Sequence, residues 1–396
     1  MTRARWTILG ASLVILLAVT VVYRQSLVLR IASMRPFVED RFDGWVQAGA
    51  DEAELDAAFR RVHDPIGTGP GSWVYEISLP AAEHEARARE FETAGDAEAA
   101  HEEWRQAALF YYIARFPFIG NQAKAAAYRK HIECYLVSVK HEEPPLEIVR
   151  IPYQGEEIIG YLRVPPSQVP PPVVVLTGGV DTWKSDIEAQ SKAVLAEGMA
   201  AFSFDMPGTG ESAWPLSADG EKIYSRVLEY LKTRPELDGD RMAVHLQSFA
   251  GYYAVKLALL DPNVKAAVNV GGPIHLSFTV EHAENVHQGM IKTIAHAMGE
   301  ELDQPIEEMI AKIEPFSLER QGLLKTPDRQ APLLSINGDQ DLLVTIDDLY
   351  IISESGIAQE EWVYEGEGLG ASATASEHVP KAVAWMKDQL SRVGES

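Results

Sequence analysis

The chain has 396 residues, of which 46 % are hydrophobic and 23 % are charged, and its formal net charge is −23. This composition predicts a folded globular protein, and the length allows one large domain or two of ordinary size. The negative charge disfavours nucleic-acid binding, and the single cysteine, Cys134, excludes an intramolecular disulfide and a zinc site built from cysteines.

An uncharged apolar run begins the chain at residues 7–23, "TILGASLVILLAVTVVY". At 1.5 Å per residue a helix of this length spans about 26 Å, close to the hydrocarbon thickness of a bilayer. A signal-peptide core has a similar length, but no A-x-A-like cleavage site follows. We therefore predict a single-pass membrane anchor over residues 1–30. Arginines flank the run on both sides, so the side of the membrane that holds the rest of the chain stays open.

Residues 36–145 have the periodicity of amphipathic helices and are predicted to form a helical cap domain. Its most marked feature is an aromatic stripe that includes Trp104, Tyr111 and Tyr112. One interpretation of the stripe is helix–helix packing. The other is a lid that lines a substrate pocket, with these three side chains binding substrate.

The pattern changes at residue 146, where a predicted domain of residues 146–396 begins. Two alternating runs, Leu146–Ile151 and Ile158–Val164, flank the turn "YQGEE" and predict a β-hairpin. Continuous apolar runs then alternate with helical stretches, as in parallel sheets buried on both faces. These runs are residues 172–179, 199–208, 241–248, 264–272, 331–341 and 360–368. A hairpin followed by a doubly wound sheet predicts an α/β fold of the α/β-hydrolase type.

The third parallel run ends in "AVHLQSFAGYYAVKLAL", which predicts a strand, a sharp turn at Ser248 and a helix. This is the arrangement of a nucleophile elbow, in which the amide of the following residue, Phe249, faces a developing oxyanion. The usual pattern is G-x-S-x-G. Here Leu246 and Ala250 occupy the glycine positions, and the leucine is the larger departure.

The first parallel run ends at "TGGVDTWKSD", where Gly178 and Gly179 allow close approach of a ligand to the backbone. The amide of Gly179 or Val180 is the candidate second oxyanion donor, and a plain β-to-α turn is the alternative. In the turn after the next strand, Asp205 is predicted to have a structural role.

A carboxylate follows the strand in "INGDQDLLV". Asp341 is the predicted acid that orients a catalytic imidazole, with Asp339 as its rival. The order Ser248, Asp341 and then a histidine near the end of the chain matches that of α/β-hydrolases.

The chain resembles the fermentation-respiration switch protein family of bacterial α/β-hydrolases and the related 2,6-dihydroxypseudooxynicotine hydrolases, which carry an N-terminal helical cap. The resemblance extends from about residue 69 to residue 390. It is carried by "GPGSWVYE", "AALFYYIARFPF", "TGGVDTWKSD", "FDMPGTGESAWPL", "DRMAVHLQSFAGYYAVKLALLDP", "VKAAVNVGGPIH" and "AVAWMKDQL". It implies a catalytic serine at Ser248. The anchor lies outside the resemblance, and we expect it in a bacterial inner membrane.

The resemblance also implies a histidine near Leu369, where this chain has "GEGLGA" in place of "GEGHxA". We therefore predict that His378, nine residues later, replaces it as the base, and the alternative is an exposed histidine at a helix start. His275 is a second candidate. His282 and His287 rank lower, and His245 is interpreted as a core histidine.

These features predict a membrane-anchored serine hydrolase of the esterase, lactonase or C–C hydrolase kind, acting on a small apolar carbonyl substrate. No cofactor, metal or nucleic-acid partner is expected, and self-association into a homodimer stays open. Leu246 and Leu369 support the alternative, a catalytically impaired hydrolase fold with a binding or regulatory role.

Overall fold

The computed structural model describes residue 38, residues 41–325 and residues 330–394. Within this part, the chain divides into two compact units. One comprises the described residues up to Arg115 together with Asn121–Cys134, and the other comprises Phe116–Gly120 and the chain from Tyr135 onward. The division near residue 135 lies about ten residues before the boundary predicted from the sequence, and Phe116–Gly120 belongs to the second unit.

The first unit is helical. Its labelled helices are α1 (Glu52–Arg61), α2 (Trp73–Ala94), α3 (Ala97–Arg115) and α4 (Gln122–Ser138). Asp51 begins α1 by accepting a hydrogen bond from the Glu54 amide at 2.9 Å, and Gly95 ends α2 in the left-handed region at φ 78°. Capping and a terminal glycine of this kind satisfy backbone groups that a helix end leaves unpaired.

The second unit contains an eight-stranded sheet. Its strands are β1 (Glu147–Tyr153), β2 (Glu156–Arg163), β3 (Pro172–Thr177), β4 (Ala200–Phe204), β5 (Asp238–Gln247), β6 (Val264–Val270), β7 (Leu333–Gly338) and β8 (Glu360–Tyr364). The spatial order is β1-β2-β4-β3-β5-β6-β7-β8. β2 is antiparallel to β1 and β4, and all other pairs are parallel. The α/β-hydrolase fold predicted from the strand order is confirmed.

The hairpin and the buried strands follow from local sequence. Gln154 and Gly155 both have positive φ, 48° and 88°, as a two-residue type I′ turn requires. In the centre of the sheet β3, β4 and β6 are almost entirely buried, which is why their sequences are continuous apolar runs.

Helices pack on both faces of this sheet. The labelled helices of this unit are α5 (Glu188–Ala196), α6 (Glu221–Lys232), α7 (Gly251–Leu260), α8 (Val280–Ala283), α9 (Gln288–Ala297), α10 (Ile306–Ala311), α11 (Asp347–Glu354) and α12 (Ala375–Ser391). On one face α5 and α12 share a core with the central strands. On the other, the ring of Tyr224 in α6 packs between those of Phe204 and Tyr253.

The predicted membrane anchor, residues 1–30, lies outside the described residues. Among the described helices, none combines the length and the apolar character needed to cross a bilayer.

Acid should weaken this fold through His245 in β5. Its side chain is 1 % exposed, and neither ring nitrogen has a hydrogen-bond partner among the described residues. Burial, with a smaller contribution from His378, lowers the pKa of His245 from 6.5 to about 4. The unfolded chain therefore binds the extra proton first, so the free energy of unfolding is retained above pH 6.5 and falls by roughly 3 kcal/mol as the pH approaches 4.

Replacement of this ring by an apolar side chain, His245→Leu, should remove most of the acid-side loss. The measurement is urea unfolding near neutral pH and near pH 4.5. His141→Gln, at an exposed histidine, is the matched control and should keep the wild-type pH dependence. An unchanged pH dependence in His245→Leu would contradict the assignment.

Candidate active site

Ser248 lies in a sharp turn between β5 and α7. The strand ends at Gln247, residues Ser248–Ala250 form a single 3₁₀ turn, and α7 begins at Gly251. Ser248 has φ 51°, in the left-handed region that side chains disfavour by roughly 1 kcal/mol. Such strain persists only where the surrounding structure imposes it, and it places the half-buried serine at the carboxyl end of the parallel sheet.

Gly179 approaches Ser248 closely. A Cβ atom on Gly179 would lie 2.6 Å from Ser248 Cβ, 2.8 Å from Ser248 Oγ and 3.5 Å from the Phe249 nitrogen. Any side chain at position 179 would therefore collide with Ser248, and only glycine avoids this collision. Among the described residues, the N–H groups of Gly179 and Val180 donate no hydrogen bond. The structure thus places Ser248 beside Phe249 and Gly179, and Val180 lines a small cavity together with Ser248 and Phe249.

A buried ion pair holds the loop that carries Gly179 and Val180. Lys184 Nζ lies 2.5 Å from Asp205 Oδ2 and 2.7 Å from Glu211 Oε2, and the Lys184 side chain is fully buried. The Lys184 amide also donates to Asp205 Oδ1 at 2.8 Å. Asp205 therefore ties the turn after β3 to the turn after β4, which is the structural role predicted for it.

Asp341 follows β7 and is buried. Its Oδ1 accepts from the amides of Leu343 at 2.8 Å and Val344 at 3.1 Å, and its Oδ2 accepts from Asn337 Nδ2 at 3.0 Å. Burial raises the pKa of Asp341 above its usual value, although these hydrogen bonds act in the opposite direction. Among the described residues, no imidazole forms a hydrogen bond with this carboxylate.

Among the described residues His378 forms no hydrogen bond with Ser248 or Asp341, and its role as the base stays a prediction. It lies in α12, is 1 % exposed, and donates from Nε2 to the Ala371 carbonyl at 3.2 Å. Its Nδ1 has no hydrogen-bond partner among the described residues. The adjacent Val379 belongs to the core under the sheet, so helix packing rather than exposure fixes this ring. Burial lowers the pKa of His378.

The second candidate, His275, also has its ring engaged elsewhere. Its Nδ1 lies 2.7 Å from Ser317 Oγ and its Nε2 lies 2.5 Å from Glu319 Oε2. His245, the predicted core histidine, is buried as expected.

The two remaining histidines make backbone contacts after β6. His282 Nε2 lies 3.0 Å from the Leu343 carbonyl. His287 begins α9, where its Nδ1 accepts from the Gly289 amide at 3.0 Å. Neither forms a hydrogen bond with Ser248 or Asp341 in the described structure, although His282 is close enough to lower the pKa of Asp341 slightly.

Leu369 is the residue near which the family resemblance implies a histidine. Its Cδ1 would lie 3.2 Å from a Cβ on Gly271, the residue that follows β6. Since β6 lies between β5 and β7, Leu369 lies between the strands that carry Ser248 and Asp341. The resemblance implies a histidine near this position, and the chain has the apolar Leu369 there.

Asn337 is a site residue that the sequence reasoning missed. Besides donating to Asp341, it accepts a hydrogen bond at Oδ1 from the Gly370 amide at 2.8 Å. It thereby joins the acid to the turn that follows Leu369. Its position at the end of β7, four residues before Asp341, was the available signal.

A small apolar cavity of about 40 Å³ adjoins Ser248. Its walls include Phe249, Phe278, Met290 and Ile291. The volume is close to that of a water molecule in the liquid, so it admits only a small group.

The three aromatic residues of the cap, taken in turn, make contacts inside the helical unit. Trp104 Nε1 donates to Glu92 Oε1 at 2.9 Å, and Tyr111 donates to Glu85 Oε2 at 3.1 Å. The Arg115 guanidinium lies 3.9 Å from the centre of the Tyr112 ring. These contacts support helix–helix packing, and substrate binding by these residues stays a prediction.

Removal of the buried charge on Asp205 should destabilise the fold strongly. Asp205→Asn leaves the fully buried Lys184 with Glu211 as its remaining carboxylate partner, so we expect a loss of about 2 kcal/mol, below the cost of leaving a buried charge without any partner. Urea unfolding measures the loss. Glu188→Gln breaks the surface pair with Lys192 and should cost less than about 1 kcal/mol. Equal losses in the two variants would show that the ion pair does not hold the loop.

Comparison with known proteins identifies the family. The family described as Esterase FrsA-like matches residues 54–390. Esterase FrsA of Photobacterium profundum is 23 % identical, over 87 % of this chain and 86 % of that protein, and Esterase FrsA of Vibrio cholerae is 26 % identical over the same shares.

The 2,6-dihydroxy-pseudo-oxynicotine hydrolase structure is 21 % identical, with a TM-score of 0.73 over 86 % of this chain and 93 % of the other. AbyA5 is 21 % identical, with a TM-score of 0.67 over 86 % and 94 %. The chain belongs to the FrsA-like esterase family, with an α/β-hydrolase fold.

Proposed function

We propose that this chain is a serine esterase that acts on a small uncharged ester, with Ser248 as the nucleophile. The observation that carries the proposal is the close approach of Gly179 to Ser248 Oγ and to the Phe249 nitrogen, while the N–H groups of Gly179 and Val180 donate no hydrogen bond among the described residues. A substrate carbonyl oxygen bound beside these groups would accept hydrogen bonds from their N–H groups as it becomes negatively charged. Membership of an esterase family supports the same reaction.

In the reaction, Ser248 Oγ forms a bond to the carbonyl carbon and the bond from that carbon to the ester oxygen breaks. The proton lost by Ser248 ends on the departing alcohol. Water then attacks the acyl-serine, returns a proton to Ser248 Oγ and releases the carboxylic acid. Asp341 lies at the acid position, and in this proposal it is the group that would orient an imidazole.

We further propose that turnover is slow, because no imidazole is hydrogen-bonded to Ser248 or Asp341 among the described residues. A serine without a base is a weak nucleophile, and a general base contributes on the order of 10² to 10⁴ in rate. The chain should therefore react with activated esters and fluorophosphonates more readily than with ordinary alkyl esters.

A binding protein without catalysis is the second candidate. It is favoured by the apolar side chain of Leu369 at the base position and by the small cavity beside Ser248. In that case the oxyanion donors would hold a carbonyl or carboxyl ligand that is not cleaved.

The membrane anchor is also part of the proposal. It is supported by the uncharged run at residues 7–23 and by the arginines that flank it. The full chain should sediment with membranes after a high-salt wash, and deletion of residues 1–30 should release it. Recovery of the full chain in the soluble fraction would contradict the anchor.

Labelling of Ser248 by a fluorophosphonate probe tests the proposed function. The wild-type chain should be labelled slowly and Ser248→Ala should not be labelled. Leu369→His should raise both the labelling rate and kcat/KM for p-nitrophenyl acetate at least 10-fold, because it introduces an imidazole between the serine and the acid. Leu369→Gln, a polar side chain without a base, is the matched control and should not gain.

A further variant separates this proposal from the earlier prediction for His378. His378→Gln should keep the labelling rate if the ring only packs in the core, whereas loss of a true base would lower it at least 100-fold. Thermal unfolding of each variant checks that the fold is intact. Wild-type and Ser248→Ala chains labelled to the same extent would overturn the serine assignment, and labelling of neither chain nor of Leu369→His would favour the binding protein.

A further inference from the structure

A larger cavity lies beside the small one and has Val180 as a common wall. Its volume is about 360 Å³, within the range of small-molecule sites, and all of its lining residues belong to the unit that contains the sheet. Val180 is 3 % exposed and lines both this cavity and the cavity at Ser248. A ligand with two parts joined by a short link can therefore place one part on each side of Val180.

Aromatic rings dominate the wall of the larger cavity. They come from Phe118, Trp183, Trp214 and His296. The rings of Phe118 and His296 are stacked, with centroids 4.4 Å apart and planes 23° from parallel. Trp183 Nε1 donates to the Val180 carbonyl at 3.3 Å, which fixes an aromatic wall against the shared residue. Flat faces of this kind favour a flat ring as the ligand.

The three hydroxyl groups of this wall already donate hydrogen bonds to backbone carbonyls. The hydroxyls of Thr209, Ser212 and Thr293 donate to the carbonyls of Met206, Trp214 and Gly289, at 2.7, 3.2 and 2.8 Å. No carboxylate, lysine or arginine side chain lines the cavity in the described part of the chain. The cavity therefore suits an uncharged ligand, since a charged one would lose its hydration without gaining a counter-charge.

The two cavities differ in size, so the two parts of an ester that they hold must differ in size as well. The cavity of about 40 Å³ at Ser248 accepts a group the size of a methyl or ethyl, and the aromatic cavity accepts a fused or substituted ring. The ester link would cross beside Val180, whose amide is one of the candidate oxyanion donors. This arrangement selects a short acyl group and a bulky aromatic alcohol.

We propose that the aromatic cavity lined by Phe118, Trp183, Trp214 and His296 binds the ring of an uncharged aryl ester of a short-chain acid. The inference rests on the proposed function and specifies the substrate of that site. The acyl group enters the small cavity, Ser248 Oγ bonds to its carbonyl carbon, and the aromatic alcohol leaves with the proton lost by Ser248.

Binding of 2-naphthol, a neutral aromatic alcohol, tests the ring site by isothermal titration calorimetry. Wild-type and Ser248→Ala chains should bind it equally, because the cavity does not depend on the nucleophile. Ala213→Phe, at an exposed position that lines the cavity, should weaken binding at least 10-fold. Ala358→Phe, at an exposed position elsewhere in the same unit, is the matched control and should bind like the wild type.

Activity measurements complete the test. With p-nitrophenyl esters, kcat/KM should fall at least 10-fold from acetate to hexanoate, and Val180→Ala should reduce that preference by removing side-chain volume from the wall that the two cavities share. Equal naphthol binding by wild type and Ala213→Phe would overturn the ring site even if Ser248 is labelled. Naphthol binding that is lost in Ala213→Phe would support the ring site even if Ser248 proves unreactive, which keeps the two proposals separable.

Discussion

The left-handed backbone of Ser248 and the bare backbone of Gly179 constrain each other, and the rest of the site depends on this contact. Serine at φ 51° is strained. The strain is maintained because β5, which precedes Ser248, and α7, which follows it, are both held in place by the rest of the fold. A side chain on Gly179 would collide with Ser248 Oγ. The strained serine and the bare glycine therefore keep the Ser248 hydroxyl and the turn at Gly179 in close contact. The buried ion pair between Lys184 and Asp205 fixes the turn that carries Gly179.

The carboxylate of Asp341 has its hydrogen-bonding capacity satisfied without an imidazole. Three N–H donors surround Asp341, and one of them belongs to Asn337, which also holds the Gly370 amide. A carboxylate that is both buried and well hydrogen-bonded keeps its place whether or not a histidine is present. This explains how the chain retains the architecture of an esterase site while the position beside it carries the apolar Leu369.

The sequence predicted the parts of this protein that follow from local patterns. Apolar runs marked the strands, and the strand, turn and helix around Ser248 predicted the elbow in spite of Leu246, which is fully buried in β5. The tail was harder to predict, because the direction of a ring at a helix start depends on packing rather than on spacing. His378 turns into the core under the sheet, where Val379 also packs, and bonds the Ala371 carbonyl. The position of Asn337 near Asp341 was visible in the sequence, but its bond to the Gly370 amide joins residues more than thirty positions apart, and no local pattern predicts that bond.

Leu369 also has a consequence at the level of the gene. Some leucine codons become histidine codons through a single base change, while Ser248, Gly179 and Asp341 keep the surroundings that such a change needs. Selection for or against turnover can thus act on one codon without remodelling the fold. If the proposed function holds, binding of a carbonyl compound and its turnover can evolve separately in this fold.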